Sequence, residues 1–480
     1  MPWTLSRGKL RIRSWFTSVI ERLTYMFFTI ASFLVAIAIL VAVHEFGHFA
    51  TAVALRVKVL RFSIGFGPRL VTWRSNRLGT EFAISLLPLG GYVKFLDERN
   101  GPVEAADRPL AFNLQPLRVR AAIVAGGPAA NFLLAIVLYA GVNWVGSLQP
   151  SPLLGTPLIG SVAERAGIRG DDLVVAANSD GQDPVEIQSF EDFRWLLMRS
   201  AVDRQDLTLH LADSRGGNQR QLLLPLAALE ARDADAALFR RIGILAPLSV
   251  ARLGAIAAGG AAEEAGLQAG DLVLQVDGVR IVDAAQLREI IRNAGGAAGA
   301  RAIQSWRIDR SGSVLALSIS PRGEFAQGIR VGRVGAYIGA LPTMVMVRHG
   351  LLDGFTRAVR RTWEVSVLSL QMIGKIMTGE ASLKNLSGPI TIADYAGQSA
   401  SLGAVPFVVF LALISVSLGV LNLLPLPVLD GGHLMYYLWE SLTGKPVSES
   451  WMEQLQKVGL VVLLMMMSVA VFNDVTRLLG

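Results

Sequence analysis

The stretch MFFTIASFLVAIAILVAVHEFGHFATAVAL, residues 26 to 55, decides the fold. It is an apolar run long enough to span a bilayer, and His44, Glu45 and His48 are its only ionisable side chains. Polar groups inside a membrane helix are costly, so those that are kept point to function. On a helix His44 and His48, four residues apart, share one face, and Glu45 stands beside them. This is the HExxH arrangement, in which two imidazoles hold zinc and the glutamate acts as general base on the attacking water. The bland reading is a chance HExxH. An ion-pair partner accounts for one buried charge but not for this triplet.

Composition widens the reading from one helix to a multi-pass membrane protein. Of the 480 residues 52% are hydrophobic and only 17% charged, and mean hydropathy is +0.45. The net charge of +7 is scattered along the chain and flanks apolar segments, which speaks for membrane topology and against nucleic acid. With no cysteine there is neither a disulfide nor a thiolate ligand or nucleophile, so a metal must be held by histidine and carboxylate.

Three further segments qualify as spans. Residues 121 to 148 lie in a stretch without charge between Arg120 and Glu164; residues 395 to 429 contain no ionisable acid, base or histidine and are most apolar from Val405 to Leu424; residues 458 to 472 are short, with a buried helix as the rival. The basic segment 1–25 resembles the charged start of a signal peptide, but cleavage would discard the HExxH, so the first span is expected to be retained. Arginines and lysines from Arg56 to Arg120 place the first loop in the cytoplasm by the positive-inside tendency, and the middle of the chain on the other side. The basic start of the chain opposes this topology. Within the first loop, LRFSIGFG, RLVTW and TEFAISLLPLGGYVKF alternate as strands do, with Pro88, Gly90 and Gly91 breaking the run. Such a sheet is tolerated at membrane depth only in a protein-lined cavity, where its edge could receive an extended substrate.

Residues 150 to 330 are soluble in character and carry a repeat. AERAGIRGDDLVVAANSDG (163–181) is echoed by AEEAGLQAGDLVLQVDG (262–278), with Gly167 and Gly266, and Asp172 and Asp271, each 99 residues apart. Helices are expected at 189–200 and 283–294, and strands at 206–211 and 313–320, which makes two similar modules of peptide-binding or gating type. An apolar stripe beside Arg357, Arg360, Arg361 and Lys375 predicts an amphipathic helix over 351–378, lying at the membrane surface or packed on the modules.

The other half of the site is LGVLNLLPLPVLDGGH, residues 418 to 433. Its prolines disrupt a membrane helix, and irregular backbone survives at that depth only against protein or a wet cavity. Zinc held by two histidines needs a third protein ligand. Asp430 is the foremost candidate, Glu440 the alternative, and His433 is expected at the cavity rim. In AGGPAANFLLA, residues 125 to 135, small residues permit close helix packing. There Asn131 either glues the first two spans together or orients substrate or the reaction oxyanion.

Taken together, HEFGH (44–48), PLGGYVKF (88–95), AGGPAANF (125–132), the doubled module, LSGPITIA (386–393) and NLLPLPVLDGGH (422–433) resemble the site-2 protease family of intramembrane zinc metalloproteases, M50, and most closely its regulator-of-sigma-E branch. The resemblance runs over almost the whole chain from residue 25. It implies Zn2+ on His44, His48 and Asp430, with Glu45 catalytic. It implies a membrane-associated β region at about 58–95, so that Gly90, Gly91 and Tyr92 join Asn422 and Asn131 as candidate substrate-binding or orienting residues. It implies that the modules are tandem PDZ-like domains acting as a size filter in the periplasm of an inner-membrane protein. The implied substrate is a single-pass anti-sigma factor already trimmed by a site-1 protease, with remnant signal peptides as a second class. The departures are the basic start and the Ala- and Gly-rich patches at 255–265 and 294–300, which make the second module plain. A membrane chaperone or sensory scaffold, without catalysis, is the rival reading.

The expected architecture is therefore a multi-pass α-helical membrane protein with four transmembrane helices, a membrane-associated β region and two periplasmic PDZ-like α/β domains. In order these are the basic segment 1–25, first span 26–55, cytoplasmic loop 56–120, second span 121–149, modules 150–243 and 244–330, connector 331–400, third span 401–433, cytoplasmic loop 434–457 and fourth span 458–474.

Overall fold

The apolar run at 26–55 is the C-terminal part of one helix, α1 (Ser6–Ala54), so helix also continues back through the basic segment. A computed structural model of the chain describes residues 6–179, 181–229, 236–295, 303–326, 329–379 and 387–479. Residues 1–5, most of the patch at 294–300 and Leu386 of LSGPITIA lie outside them. The chain forms two compact units, one of residues 1–146 with 348–480 and one of residues 147–347.

After α1 come β1 (Val59–Arg74) and β2 (Glu81–Phe95). Both bend, so residues 59–64 of β1 lie between two arms of β2 and pair with 81–84 on one side and 91–95 on the other. Residues 69–74 of β1 pair with 81–85. The sequence reading expected Pro88, Gly90 and Gly91 to break this run. Instead β2 continues through these positions and bends, pairing with β1 at 81–85, 87 and 91–95. The sheet packs on the end of α1 and the start of α2 (Leu117–Val145) through Phe49, Phe62, Phe112, Ile123 and Val124. The Phe49 ring meets those of Phe62 and Phe82 at 5.6 and 5.5 Å, which supports the contact beyond area burial alone.

The second unit opens with β3 (Ser147–Pro150). Its first module has α3 (Val162–Ala166), β4 (Leu173–Ser179), β5 (Val185–Glu186), α4 (Phe190–Val202), β6 (Leu207–Ala212), β7 (Arg220–Leu224) and α5 (Ala236–Ile242). The second has β8 (Leu253–Ile256), α6 (Ala261–Glu264), β9 (Leu272–Val276), β10 (Val279–Arg280), α7 (Ala284–Ala294), β11 (Gln304–Arg310) and β12 (Ser313–Ile319). The sheet orders β5-β4-β6-β7 and β10-β9-β11-β12 are the same, so the sequence repeat is a repeat of topology. The repeated residues do the same work twice. Gly167 (φ 94°) and Gly266 (φ 74°) take a left-handed turn that other residues resist. Asp172 accepts from the Arg169 N–H and from Arg220, and Asp271 from the Gln268 N–H and from Arg310.

The second module runs past 330. A hairpin, β13 (Arg322–Ala326) and β14 (Ile329–Arg333), is followed by β15 (Ala336–Ile338), which pairs with β8 and adds Val334 and Ile338 to the module's core. Then β16 (Met344–Val347) pairs with β3, bringing the two ends of the unit together. Only a tertiary pairing sets that boundary.

The chain returns through α8 (Leu351–Met377), α9 (Pro389–Ser401), α10 (Ala404–Asn422), α11 (Asp430–Thr443) and α12 (Glu449–Leu479). Among the described residues four helices are long and apolar enough to cross a membrane: Thr24–Ala54, Leu117–Val145, Ala404–Asn422 and Ser450–Arg477. The amphipathic helix expected at 351–378 is α8, and its Ala358 and Val365 pack against Tyr139 of α2 and Val416 of α10. Leu352, Phe355, Val359, Trp363, Leu368 and Met372 of its apolar stripe stay exposed, so the face that packs on α2 and α10 is not the stripe. The third span stops at Asn422, and the chain resumes as a separate helix at Asp430; Pro425 and Pro427, two residues apart, each lack the N–H a continuing helix would use. In α12 the buried Asp474 carboxylate accepts from the N–H groups of Gly388, Ile390 and Thr391 and from the Thr391 hydroxyl. It caps the start of α9 from another helix, meeting donors that have no partner within α9.

Candidate metal centre

His44, Glu45 and His48 lie in the last three turns of α1, where α2 crosses closely. A Cβ on Gly47 would lie 2.6 Å from the Ala130 Cβ, and one on Gly126 would lie 2.7 Å from the Gly47 carbonyl oxygen. Glycine at both positions lets the backbones approach as small-residue membrane interfaces do. Gly127 completes the crossing. A Cβ there would lie 2.6 Å from His48 Cε1 and 2.8 Å from His44 Cε1, so the imidazoles occupy the space that glycine leaves.

The start of α2 then engages the rings. Pro128 lies inside the helix and withholds the N–H that would bond the carbonyl of residue 124. In the turn before it, the Ile123 carbonyl lies 2.9 Å from His48 Nδ1 and accepts its proton. With Nδ1 protonated, the lone pair of His48 is on Nε2.

Asp430 arrives at the N-terminus of α11, where the helix dipole favours a carboxylate. The two following glycines make the placement possible. A Cβ on Gly431 would collide with the backbone of Leu423 and Leu424, and one on Gly432 with that of Leu426 and Pro427. The DGG sequence tucks the helix start beneath the proline turn and aims Asp430 at α1.

His44 Nε2 and His48 Nε2 are 3.3 Å apart, and Asp430 Oδ2 lies 3.2 Å from the first and 3.5 Å from the second. Tetrahedral zinc with bonds of about 2.0–2.1 Å separates its ligand atoms by about 3.3–3.4 Å. The triangle therefore has the size zinc requires, and its donor set is the two-histidine, one-carboxylate set of zinc hydrolases. Asp430 Oδ2 is buried without a hydrogen-bond donor, an arrangement a bound cation would satisfy. These three residues are the group among the described residues that could hold a metal ion.

A cavity of about 580 Å³ opens onto this triangle. Glu45 stands on its wall with the two histidines and Asp430, and Gly91, Tyr92 and Asn422 also line it. A Cβ on Gly91 would lie 2.8 Å from Glu45 Cγ, so the strand runs close beside the carboxylate only because that position is glycine. Gly90 is one residue off the wall, and Phe66 fills the place of its missing side chain. Glu440 and His433 line the cavity but lie outside the metal-ligating group. Arg120 holds Glu440 at 2.6 Å, which takes up the carboxylate weighed against Asp430. Asn131 is fully buried, is not part of the cavity wall, and has its amide 3.2 Å from His44 Nδ1.

Three features of this site escape sequence reasoning. The Ile123 carbonyl is a backbone group and has no residue signature. Gly127 gave a signal only as one of several small residues in AGGPAANF. Arg120 and Glu440 are 320 residues apart.

The sequence profile of peptidase family M50 matches residues 32–466. A Ralstonia nicotianae protein provisionally named a zinc metalloprotease is 41% identical over 470 residues, covering 94% of this chain and 98% of its own. The regulator of sigma-E protease RseP of Escherichia coli is 39% identical over 456 residues, with 94% and 98% covered. Protease RseP of Yersinia pestis is 36% identical over 461 residues, with 94% and 99% covered. A solved serine endoprotease from Yersinia pestis aligns with 36% of this chain and 65% of its own at 14% identity and a TM-score of 0.13, which carries no argument. The histidine–carboxylate triangle, the four membrane-length helices and similarity over nearly the whole chain agree, and the chain belongs to peptidase family M50, as a membrane zinc metalloprotease of the RseP-like, site-2 protease kind.

Proposed function

We propose that this protein cleaves single-pass membrane proteins within the bilayer, with an anti-sigma factor pre-trimmed by a site-1 protease as its main substrate and remnant signal peptides as a second class. The observation that carries this reading is the convergence of His44 Nε2, His48 Nε2 and Asp430 Oδ2 beside Glu45, from helices 382 residues apart in sequence, inside an apolar helical unit. A chaperone or scaffold has no need of these four side chains together.

His44, His48 and Asp430 would hold the zinc. Bound there, zinc supplies Lewis-acid polarisation of the scissile carbonyl and acidifies the attacking water. The Glu45 carboxylate takes the water's proton and returns it to the leaving amine. A helical substrate hides its peptide bonds in its own hydrogen bonding and must unwind before attack. The 91–95 arm of β2, on the cavity wall, offers backbone groups to an unwound segment, and Tyr92 and Asn422 orient it. The cavity gives water a path from the cytoplasmic side. The two modules, read as PDZ-like periplasmic domains, restrict access to substrates already trimmed.

The test uses the full chain in an inner membrane lacking the native enzyme, with a tagged single-pass anti-sigma factor as substrate. Glu45→Gln is expected to keep zinc, stop cleavage and trap uncut substrate, while Asp430→Ala loses zinc. Cleavage by Glu45→Gln at the wild-type rate sinks the mechanism, and wild-type zinc content in Asp430→Ala sinks the ligand assignment.

A further inference from the structure

One stripe of α2 serves both imidazoles. Residues 123, 127 and 131 stand on successive turns of one helix face. The first gives a carbonyl to His48 Nδ1, the second leaves room for both rings, and the third sets its amide 3.2 Å from His44 Nδ1. The pattern mirrors the four-residue spacing of the histidines on the antiparallel α1.

The two Nδ1 contacts cannot differ in polarity if both Nε2 atoms bind metal. An imidazole that ligates through Nε2 carries its proton on Nδ1, and that proton needs an acceptor. For His48 the acceptor is the Ile123 carbonyl. For His44 the group in place is the Asn131 side chain, which can accept only through Oδ1. A donating Nδ2 would instead require the proton on His44 Nε2, facing Asp430 where the metal must sit. In the structure Nδ2 is the amide atom 3.2 Å from His44 Nδ1 and the buried Oδ1 makes no hydrogen bond, so a half-turn of the amide about χ2, which exchanges two atoms alike in size, brings Oδ1 to the ring and sacrifices no bond of the oxygen. The residue is fully buried, and its backbone carbonyl is held by the Ser415 hydroxyl at 2.8 Å, which fixes the amide within reach of the ring.

We infer that Asn131 is a positioning residue of the metal centre: its Oδ1 accepts the Nδ1 proton of His44 and so holds that ring in the tautomer and orientation that bind zinc. This deepens the proposed function and rests on the zinc assignment made there. It gives Asn131 a role distinct from helix glue and from substrate contact.

The test is zinc affinity of the full chain in detergent, stripped of metal and titrated with Zn2+ against a competing chromophoric chelator. Thermal unfolding of the metal-free forms is measured beside it. Asn131→Ala is expected to bind zinc about 10- to 100-fold more weakly, the range for loss of a group that orients a metal-binding histidine. Asn131→Asp, whose carboxylate only accepts, is expected to stay within about threefold of wild type. Unchanged affinity in Asn131→Ala overturns the inference. So does an Asn131→Asp protein that is folded yet as weak as Asn131→Ala, because that shows the side chain to be a donor. Lower metal-free stability with undiminished zinc affinity in either variant also overturns it, by showing a packing role. A wild-type chain that binds no zinc fails at the earlier step and refutes the ligand assignment itself.

Discussion

Gly127→Ala separates the chemistry of the site from the stability of its helix. Alanine is the better helix former by about 1 kcal/mol, so on local grounds the substitution strengthens α2. The crossing with α1 predicts the opposite for the site. The new Cβ would lie 2.6 Å from His48 Cε1 and 2.8 Å from His44 Cε1, against about 3.5–4.0 Å for an ordinary carbon contact. One ring or both must move by about 1 Å, several times the roughly 0.2 Å by which a metal–ligand distance can vary. His48 cannot retreat freely, because Ile123 holds its Nδ1 at 2.9 Å. Loss of one of three protein ligands is expected to weaken zinc binding by at least about 100-fold, about 2.8 kcal/mol, and to abolish cleavage. The assay is Zn2+ titration of the detergent-solubilised full chain against a competing chelator, with thermal unfolding of the metal-free protein alongside. A Gly127→Ala protein with wild-type zinc affinity and activity refutes the claim that α2 sets the histidine geometry.

Two further predictions concern stability. The Arg310 guanidinium, with the Gln268 N–H, holds the nearly inaccessible Asp271 carboxyl below its ordinary range. A depressed carboxyl adds stability that is complete above the unfolded value of about 3.9 and is lost as pH falls through the folded value. The second module should therefore loosen in that acid window, and Arg310→Ala should lower its stability at neutral pH and flatten the dependence. Hydrogen exchange of β9 and β11 in the intact protein reads both effects, and identical pH profiles for variant and wild type would contradict the pairing. Asp474→Ala removes the acceptor of four hydrogen bonds at the start of α9 and should lower stability by about 3 kcal/mol. Thermal unfolding in detergent checks this, and an unchanged midpoint rules out the cap.

Much of this protein is legible in one dimension because its strongest signals are local. Apolar runs of span length mark the four helices among the described residues that are long and apolar enough to cross a membrane, though α12 is about twice as long as the run that announces it. HExxH is a four-residue spacing on one helix, and its geometry follows from helical periodicity alone. The repeat at 163–181 and 262–278 foretold two sheets of one topology, because each Gly and Asp pair serves a turn within its own module. Pro425 and Pro427 announced the break that separates Asn422 from Asp430.

The tertiary structure decided what depends on groups that meet across the sequence. Asp430 and Glu440 are alike as carboxylates on the page; the glycines at 431 and 432 and the Arg120 pairing determine which one reaches the histidines. The 331–347 segment looked like connector until β15 and β16 found their partners. Asn131 read equally well as helix glue or as a substrate contact, and only its place behind the His44 ring distinguishes a third role. The physical reason is common to these cases. Helix and span signals are written in the spacing of neighbouring side chains, whereas the orientation of a ligand is set by a carbonyl, a missing Cβ and an amide on another helix, whose effect exists only once the helices cross.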